Sequence, residues 1–286
     1  MNDVLAFFVP WEFSWLVQLS VWAALLIYFN GLRKSRPAEM PGWGSVLAYV
    51  VGVVLMYLVT QTYFDYWSQY MFFVHRGQHM VLHHLAPFLI ALAMPAPVLA
   101  RGLPEGVRRW FARRLLLRAC WVAVYRFLQQ PLIACGLFVG LIFFWLTPEI
   151  HFDAMLSSTL YWVMNWSMAL DGLLFWWLMF ENGRSGITPR LGYGTRILLL
   201  AAVMVPQIIL GASITFADAV WFDVYAVCGR AWPVDPMTDQ HLGGLITWIP
   251  PAMMSVVGAL VVLRFWLHSS VGQNRGIGRG ALPANH

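Results

Sequence analysis

The chain has 286 residues, 60% of them hydrophobic and only 11% charged, well below the roughly 25% charge of ordinary soluble domains. That balance excludes a soluble globular protein, because no core of this size hides so much apolar surface. The net charge of +5 comes from 18 basic against 13 acidic residues, and because the basic ones gather at one end of the apolar segments it is a topology signal that gives no argument for nucleic acid as a partner.

Taken in chain order, apolar runs long enough to cross a bilayer fall at about 13–30, 45–63, 79–100, 119–146, 158–180, 194–216 and 245–267. The expected fold is an all-α membrane protein of seven transmembrane helices. A single domain would cover 1–268, with a Gly-rich, polar and disordered cytoplasmic tail over 269–286. The first basic residue, Arg33, follows the first run, so no cleavable leader is expected and span one should persist in the mature chain. Basic residues cluster after spans one (Arg33, Lys34, Arg36), three (Arg101 to Arg118), five (Arg184, Arg190, Arg196) and seven (Arg264, Arg275, Arg279). The opposite loops hold nine acids, among them Asp3, Asp65 and Asp239, against only Arg76 and Arg230. By the positive-inside rule the amino terminus is outside and the carboxyl terminus cytoplasmic, as expected of a multi-pass protein of the bacterial inner (plasma) membrane. The segment from Leu103 to Leu115 reads as an amphipathic helix on the inner surface, with membrane lipid as its partner.

Several classes of chemistry can be set aside. Lys34 is the only lysine and lies outside the spans, so a retinal Schiff base is excluded. Cys120, Cys135 and Cys228 form no C-x-x-C pair and imply no disulfide framework.

The chemistry-bearing stretch opens span three. His75, His79 and His83 recur at i, i+4 and i+8, which places their imidazoles on one helical stripe about 6 Å apart. On the expected topology His83 sits just inside the outer membrane boundary, His79 at it and His75 a turn above. His84, His151 and His241 collect at the same face, with Met71, Met80 and Met237 in the same layer. Imidazole with nearby thioether favours copper, Cu(I) in particular. The zinc-protease pattern H-E-x-x-H fails, because Met80 stands where the general base would be. A haem would need axial ligands from opposite faces, hence a partner such as His151 or His241 for a histidine of this stripe. Asp171 is the one acid within the hydrocarbon region, at a depth similar to Arg126; the two either neutralise each other or belong to a proton or ion path.

The run His79-Met-Val-Leu-His83 followed by Ala86-Pro87 and Pro95-Ala-Pro97, together with Asp239-Gln240-His-Leu-Gly243-Gly244 and Trp248-Ile-Pro250, resembles the CtaG family of cytochrome c oxidase assembly factors. The resemblance runs from about Tyr66 to Leu267. It implies a non-catalytic seven-span inner-membrane factor for building haem–copper oxidases, with copper delivery as its role. It further implies His79 and His83 as the paired histidines, and Asp239, Gln240, Gly243 and Gly244 as the family's turn. Oxidase subunits and a periplasmic copper carrier would be its partners. Where many members carry further histidines, this chain has Leu146, Tyr161 and Asn165, and His75, His84, His151 and His241 are the candidates to compensate. Three other readings stay open at this point: a redox protein with haem at the outer face, a transporter of copper or protons past Asp171, and a metal-free assembly scaffold.

Overall fold

The computed structural model describes residues 7–181, 186 and 188–279. Asp3, Arg184 and tail residues 280–286 lie outside the described residues. The described chain is all-helical, in the order α1 (Trp15–Lys34), α2 (Trp43–Gln61), α3 (Tyr63–Tyr70), α4 (Phe72–His79), a π-helical turn (Met80–Leu85), α5 (Ala86–Leu92), α6 (Ala96–Gly102), α7 (Glu105–Arg113), α8 (Leu115–Leu128), α9 (Pro131–Trp145), α10 (Pro148–Leu156), α11 (Ser158–Phe180), α12 (Tyr193–Thr215), α13 (Val224–Val227) and α14 (Pro236–Arg279).

Among the described residues five helices are long and apolar enough to cross a membrane, and up to seven spans result if each of two bent pairs counts as one. The bent pairs correct two of the expected continuous spans. The third begins at Phe72, and its two parts, Phe72–Leu92 and Ala96–Gly102, meet at 78°. The break falls at Ala93–Met94–Pro95, where Met94 takes φ +47°, and the proline biases the residue before it away from helical geometry. The fourth is bent by 73° between Leu116–Leu128 and Pro131–Trp145. Gln130 is extended there (ψ 131°) ahead of Pro131 at the first helical position. The last helix starts at Pro236, nine residues before the expected span, and continues to Arg279, through residues that the sequence places in the tail.

Of the five unbroken spans the most enclosed is α11, with Met164, Met168, Phe175, Trp176 and Met179 fully buried. On one side of it lies the α4–π–α5 segment; α9 and α10 pack on another, and α12 and α14 lie along each other. By contrast α1 exposes Trp15, Leu19, Trp22 and Leu26, an apolar outer face suited to lipid contact. Helix α7 forms as the sequence predicts, exposing Val107 and Trp110 beside its arginines, with the Arg114 guanidinium stacked over Trp110. Two aromatic-rich cores divide the bundle. One packs Phe88, Phe138, Phe175, Trp176 and Phe180; the other packs Phe72, Trp145, Met164, Phe222 and Tyr225 over the histidines.

Candidate functional site: a buried histidine cluster

The histidine helix is held by a cap from elsewhere in the chain. The first backbone N–H groups of α4 have no partner within their own helix. Asp239, in the first turn of α14, supplies one: Oδ2 accepts from Phe72 N–H at 3.1 Å and Oδ1 from Phe73 N–H at 2.8 Å. The same carboxylate pairs with Arg230. Gln240 pins the loop above, accepting from Trp221 N–H at 2.6 Å and donating to the Ala219 carbonyl at 3.0 Å. Glycine at 243 and 244 permits the approach, since a Cβ there would stand 2.3 Å from the Phe72 ring and 2.6 Å from the Thr215 backbone nitrogen. The Asp-Gln-x-x-Gly-Gly segment thus sets the position of α4. His241 spends Nε2 on the carbonyl of Ala217 at 3.3 Å.

The histidines are not at a wet surface. His75, His79, His83, His84 and His151 expose between 0 and 2% of their area, where the sequence places them at the membrane boundary. The reason is a roof: α10 and the loop carrying Phe222 and Tyr225 fold over α4, with Phe222 stacked on Phe72 at 4.1 Å. Sequence alone shows that loop only as a long polar connection.

Hydrogen bonds fix most of the tautomers. His151 Nδ1–H donates to the Trp145 carbonyl at 3.1 Å, so Nε2 accepts from the Tyr225 hydroxyl at 3.0 Å. Burial, reinforced by the Arg76 charge, pushes the His151 imidazole down to about 3, keeping it neutral. His79 donates from Nε2 to Asn165 Oδ1 at 3.1 Å, which leaves its Nδ1 lone pair without a partner. His75 makes no well-formed side-chain hydrogen bond, only a weak contact to the Ser68 backbone. Its ring centroid lies 4.5 Å from that of His79 and 5.1 Å from that of His151. An unsatisfied buried polar group costs about 1–3 kcal/mol, so this trio is where a ligand would recover the most.

The stripe expected to include His83 ends at the π-helical turn, whose wider winding changes the rotation after His79. His83 instead stacks on Phe138 at 4.1 Å and donates from Nε2 to Asp171 at 3.0 Å, while its Nδ1 accepts from His84 Nε2–H at 3.3 Å. That leaves His84 Nδ1 unpartnered. Asp171 is therefore paired with His83 and not with Arg126, which removes mutual neutralisation, one of the two alternatives the sequence leaves open: the Arg126 side chain is exposed, on α8. Arg126→Gln should accordingly leave the thermal midpoint in detergent within about 2 °C of wild type, whereas Asp171→Leu strands the His83 donor and should cost about 1–3 kcal/mol. Equal effects from the two variants in the same melting assay would contradict this pairing.

A second polar network adjoins the trio and was not singled out by the sequence. Asp65 Oδ1 accepts from Gln78 Nε2–H at 2.7 Å and from the Tyr161 hydroxyl at 2.8 Å, and Oδ2 accepts from Gln69 at 3.0 Å. Burial raises the Asp65 carboxyl to about 6 despite these donors. Tyr161 and Asn165, two positions where relatives were expected to carry histidine, thus stand against the cluster; Leu146 is in the apolar core beside it. Arg76, 5% exposed, donates from Nε to Thr247 at 3.0 Å. Among the described residues no carboxylate lies within 4.0 Å of it. A cavity of about 10 Å³, the size of one water, is lined by Arg76, His79, Met80, His83, His84 and Thr247.

Among the described residues no group of three or more His, Cys, Asp or Glu side chains is arranged to hold a metal ion. The donors nearest to one another are two, His75 and His79 Nδ1, since His151 Nε2 is bonded to Tyr225, and such a pair would serve only an ion content with two ligands. Cu(I), a closed-shell ion stable at low coordination number, fits that set better than zinc, which takes four. Ring separations of 4.5 and 5.1 Å leave no gap for a haem between these imidazoles.

Comparison with known proteins adds three findings. The family model described as cytochrome c oxidase caa3 assembly factor (Caa3_CtaG) matches residues 26–269. An uncharacterized protein of Mycobacterium leprae is 27% identical over 92% of this chain and 40% of its own length. Uncharacterized proteins of Mycobacterium bovis and Mycobacterium tuberculosis are each 29% identical over 90% of this chain and 39% of theirs. The chain thus spans about 40% of the length of the curated relatives it matches. No solved structure matches it.

Proposed function

Because the chain belongs to the cytochrome c oxidase caa3 assembly factor family, we propose that it acts without catalysis in building a haem–copper oxidase, holding Cu(I) between His75 and His79 and passing it on. The proposed setting is the bacterial inner membrane, with seven spans, the amino terminus and the histidine end outside, and the carboxyl terminus cytoplasmic. Oxidase subunits would be the recipients and a periplasmic copper carrier the donor. The observation that carries the reading is His75, fully buried with no well-formed hydrogen bond beyond a weak contact to the Ser68 backbone, and flanked by two further histidines.

Low coordination suits a carrier, since a closed cage of four ligands would retain its ion. The buried Arg76 adds a charge argument: a cation beside it raises the cost of placing any metal here, and a singly charged ion pays less than a divalent one. Enclosure of the site implies that the roof of α10 and Tyr225 opens for exchange, and Tyr225 releases His151 Nε2 in the same movement.

The test is the copper content of the oxidase purified from cells in which His75→Ala/His79→Ala replaces the wild-type chain. The expected result is an oxidase with normal haem and less than about half its copper, as for loss of a metal's own ligands. Full copper loading would favour the metal-free scaffold, a reading that the absence of a ready three-donor group among the described residues also supports.

A further inference from the structure

Helix α8 stands away from the bundle. It packs chiefly on α7 and α9, and none of its described side chains is buried. Two polar ties hold it in place: the Tyr125 hydroxyl meets Thr188 Oγ1 at 3.0 Å, and Gln129, just beyond its end, donates to the Leu174 carbonyl at 2.8 Å. Between α8, α11 and the α1–α2 pair lies a cavity of about 740 Å³. The volume is that of a small-molecule site, which typically runs about 300–1,000 Å³.

Its lining has a direction. Most of the wall is aliphatic, from Val21, Val53, Leu128 and Leu173, with Trp162 and Trp166 one turn apart on α11. Polar groups gather at the end next to α3: Glu12, Thr60, Asp65, Tyr161 and Asn165. Among the lining residues there are two acids and no Lys, Arg or His. A phospholipid would bring a phosphate to that end with nothing to pair it, so charge complementarity favours a neutral head. Asp65, Tyr161 and Asn165 already pair within their own network, so the capacity left for such a head at this end is that of Glu12 and of the Thr60 oxygen, which only donates to the Met56 carbonyl at 2.7 Å, while Trp162 and Trp166 add aromatic surface to the wall.

We propose that this cavity binds one isoprenoid quinone or quinol, with its ring at the Asp65–Tyr161–Asn165 end and its tail along the aliphatic wall. The head then sits one side chain from the histidines. Asn165 is the acceptor for His79, and the Tyr161 ring centroid is 6.0 Å from that of His75. The site does not depend on copper being bound.

The full chain, purified in mild detergent, is extracted with organic solvent, and quinone and lipid phosphorus are counted per chain. Wild type should carry about one quinone, as for a single pocket of this size. Val124→Trp/Leu170→Trp fills the cavity from two exposed, lipid-facing positions. It should retain about tenfold less quinone with an unchanged thermal midpoint. Phospholipid in place of quinone in the wild type, or wild-type quinone in the filled variant, would overturn the proposal. Should the filled variant fail to fold, titration of wild type with decylubiquinone decides the matter. Saturable quenching of tryptophan fluorescence supports the site, and linear partition-like quenching refutes it.

Discussion

Asp239→Ala is expected to destabilise the protein by about 3–5 kcal/mol, the range for removing one partner of a buried charge pair. The carboxylate is fully enclosed and serves three donors at once: Phe72 N–H, Phe73 N–H and Arg230. Truncation leaves two helix-end N–H groups and a guanidinium facing a void. Because the two amides open α4, the loss acts on the helix that carries His75 and His79. Asp239→Asn keeps one carbonyl oxygen for the amides and should lose roughly half as much. Melting of the detergent-solubilised variants checks this ordering, Asp239→Ala below Asp239→Asn below wild type. An Asp239→Ala midpoint within a degree or two of wild type would show that the cap carries no load.

Gly172→Val should be at least as damaging. A Cβ at 172 would lie 2.3 Å from the carbonyl oxygen of His83 and 2.9 Å from its carbon, both backbone atoms. Pro87, four residues after His83, has no N–H to give that carbonyl. The helix widens into its π turn at this point, and α11 approaches to within contact of bare backbone. Neither side can yield, as α11 is held by Phe175 and Trp176 in the core and the turn by His83 on Asp171. Overpacking costs about 1–3 kcal/mol for an added methyl and more for a branched side chain, so little monodisperse Gly172→Val protein should survive size-exclusion chromatography. Gly140 is the control: a Cβ there meets nothing within 4 Å. Gly140→Ala should be neutral or stabilise by up to about 1 kcal/mol. Equal recovery of Gly172→Val and Gly140→Ala would refute the close approach.

Much of the helical architecture could be read from the residues, because apolar run length is a local signal. The run from Ser158 to Phe180 coincides with α11 to the residue, and the pairing of His75 with His79 follows from the helical repeat alone. Three kinds of feature could not be read. The breaks at Pro95 and Pro131 look like tolerated prolines in a continuous run, and only tertiary packing makes them corners of 78° and 73°. The π turn alters the rotation between His79 and His83, so a periodicity of 3.6 misassigns the third histidine. Partners distant in sequence, such as Asp239 with Phe72, Asp171 with His83 and Asp65 with Tyr161, leave no spacing to detect. Depth matching suggested Arg126 for Asp171, but depth says nothing about which face of α8 the arginine occupies.

Cu(I) affinity bears most directly on the central claim, measured anaerobically by competition against a chromophoric chelator. Wild type and His84→Ala should each bind about one ion per chain, while His75→Ala/His79→Ala loses at least about 100-fold in affinity, beyond what outer-shell changes alone produce. Stoichiometric binding that survives in the His75→Ala/His79→Ala protein would contradict the account.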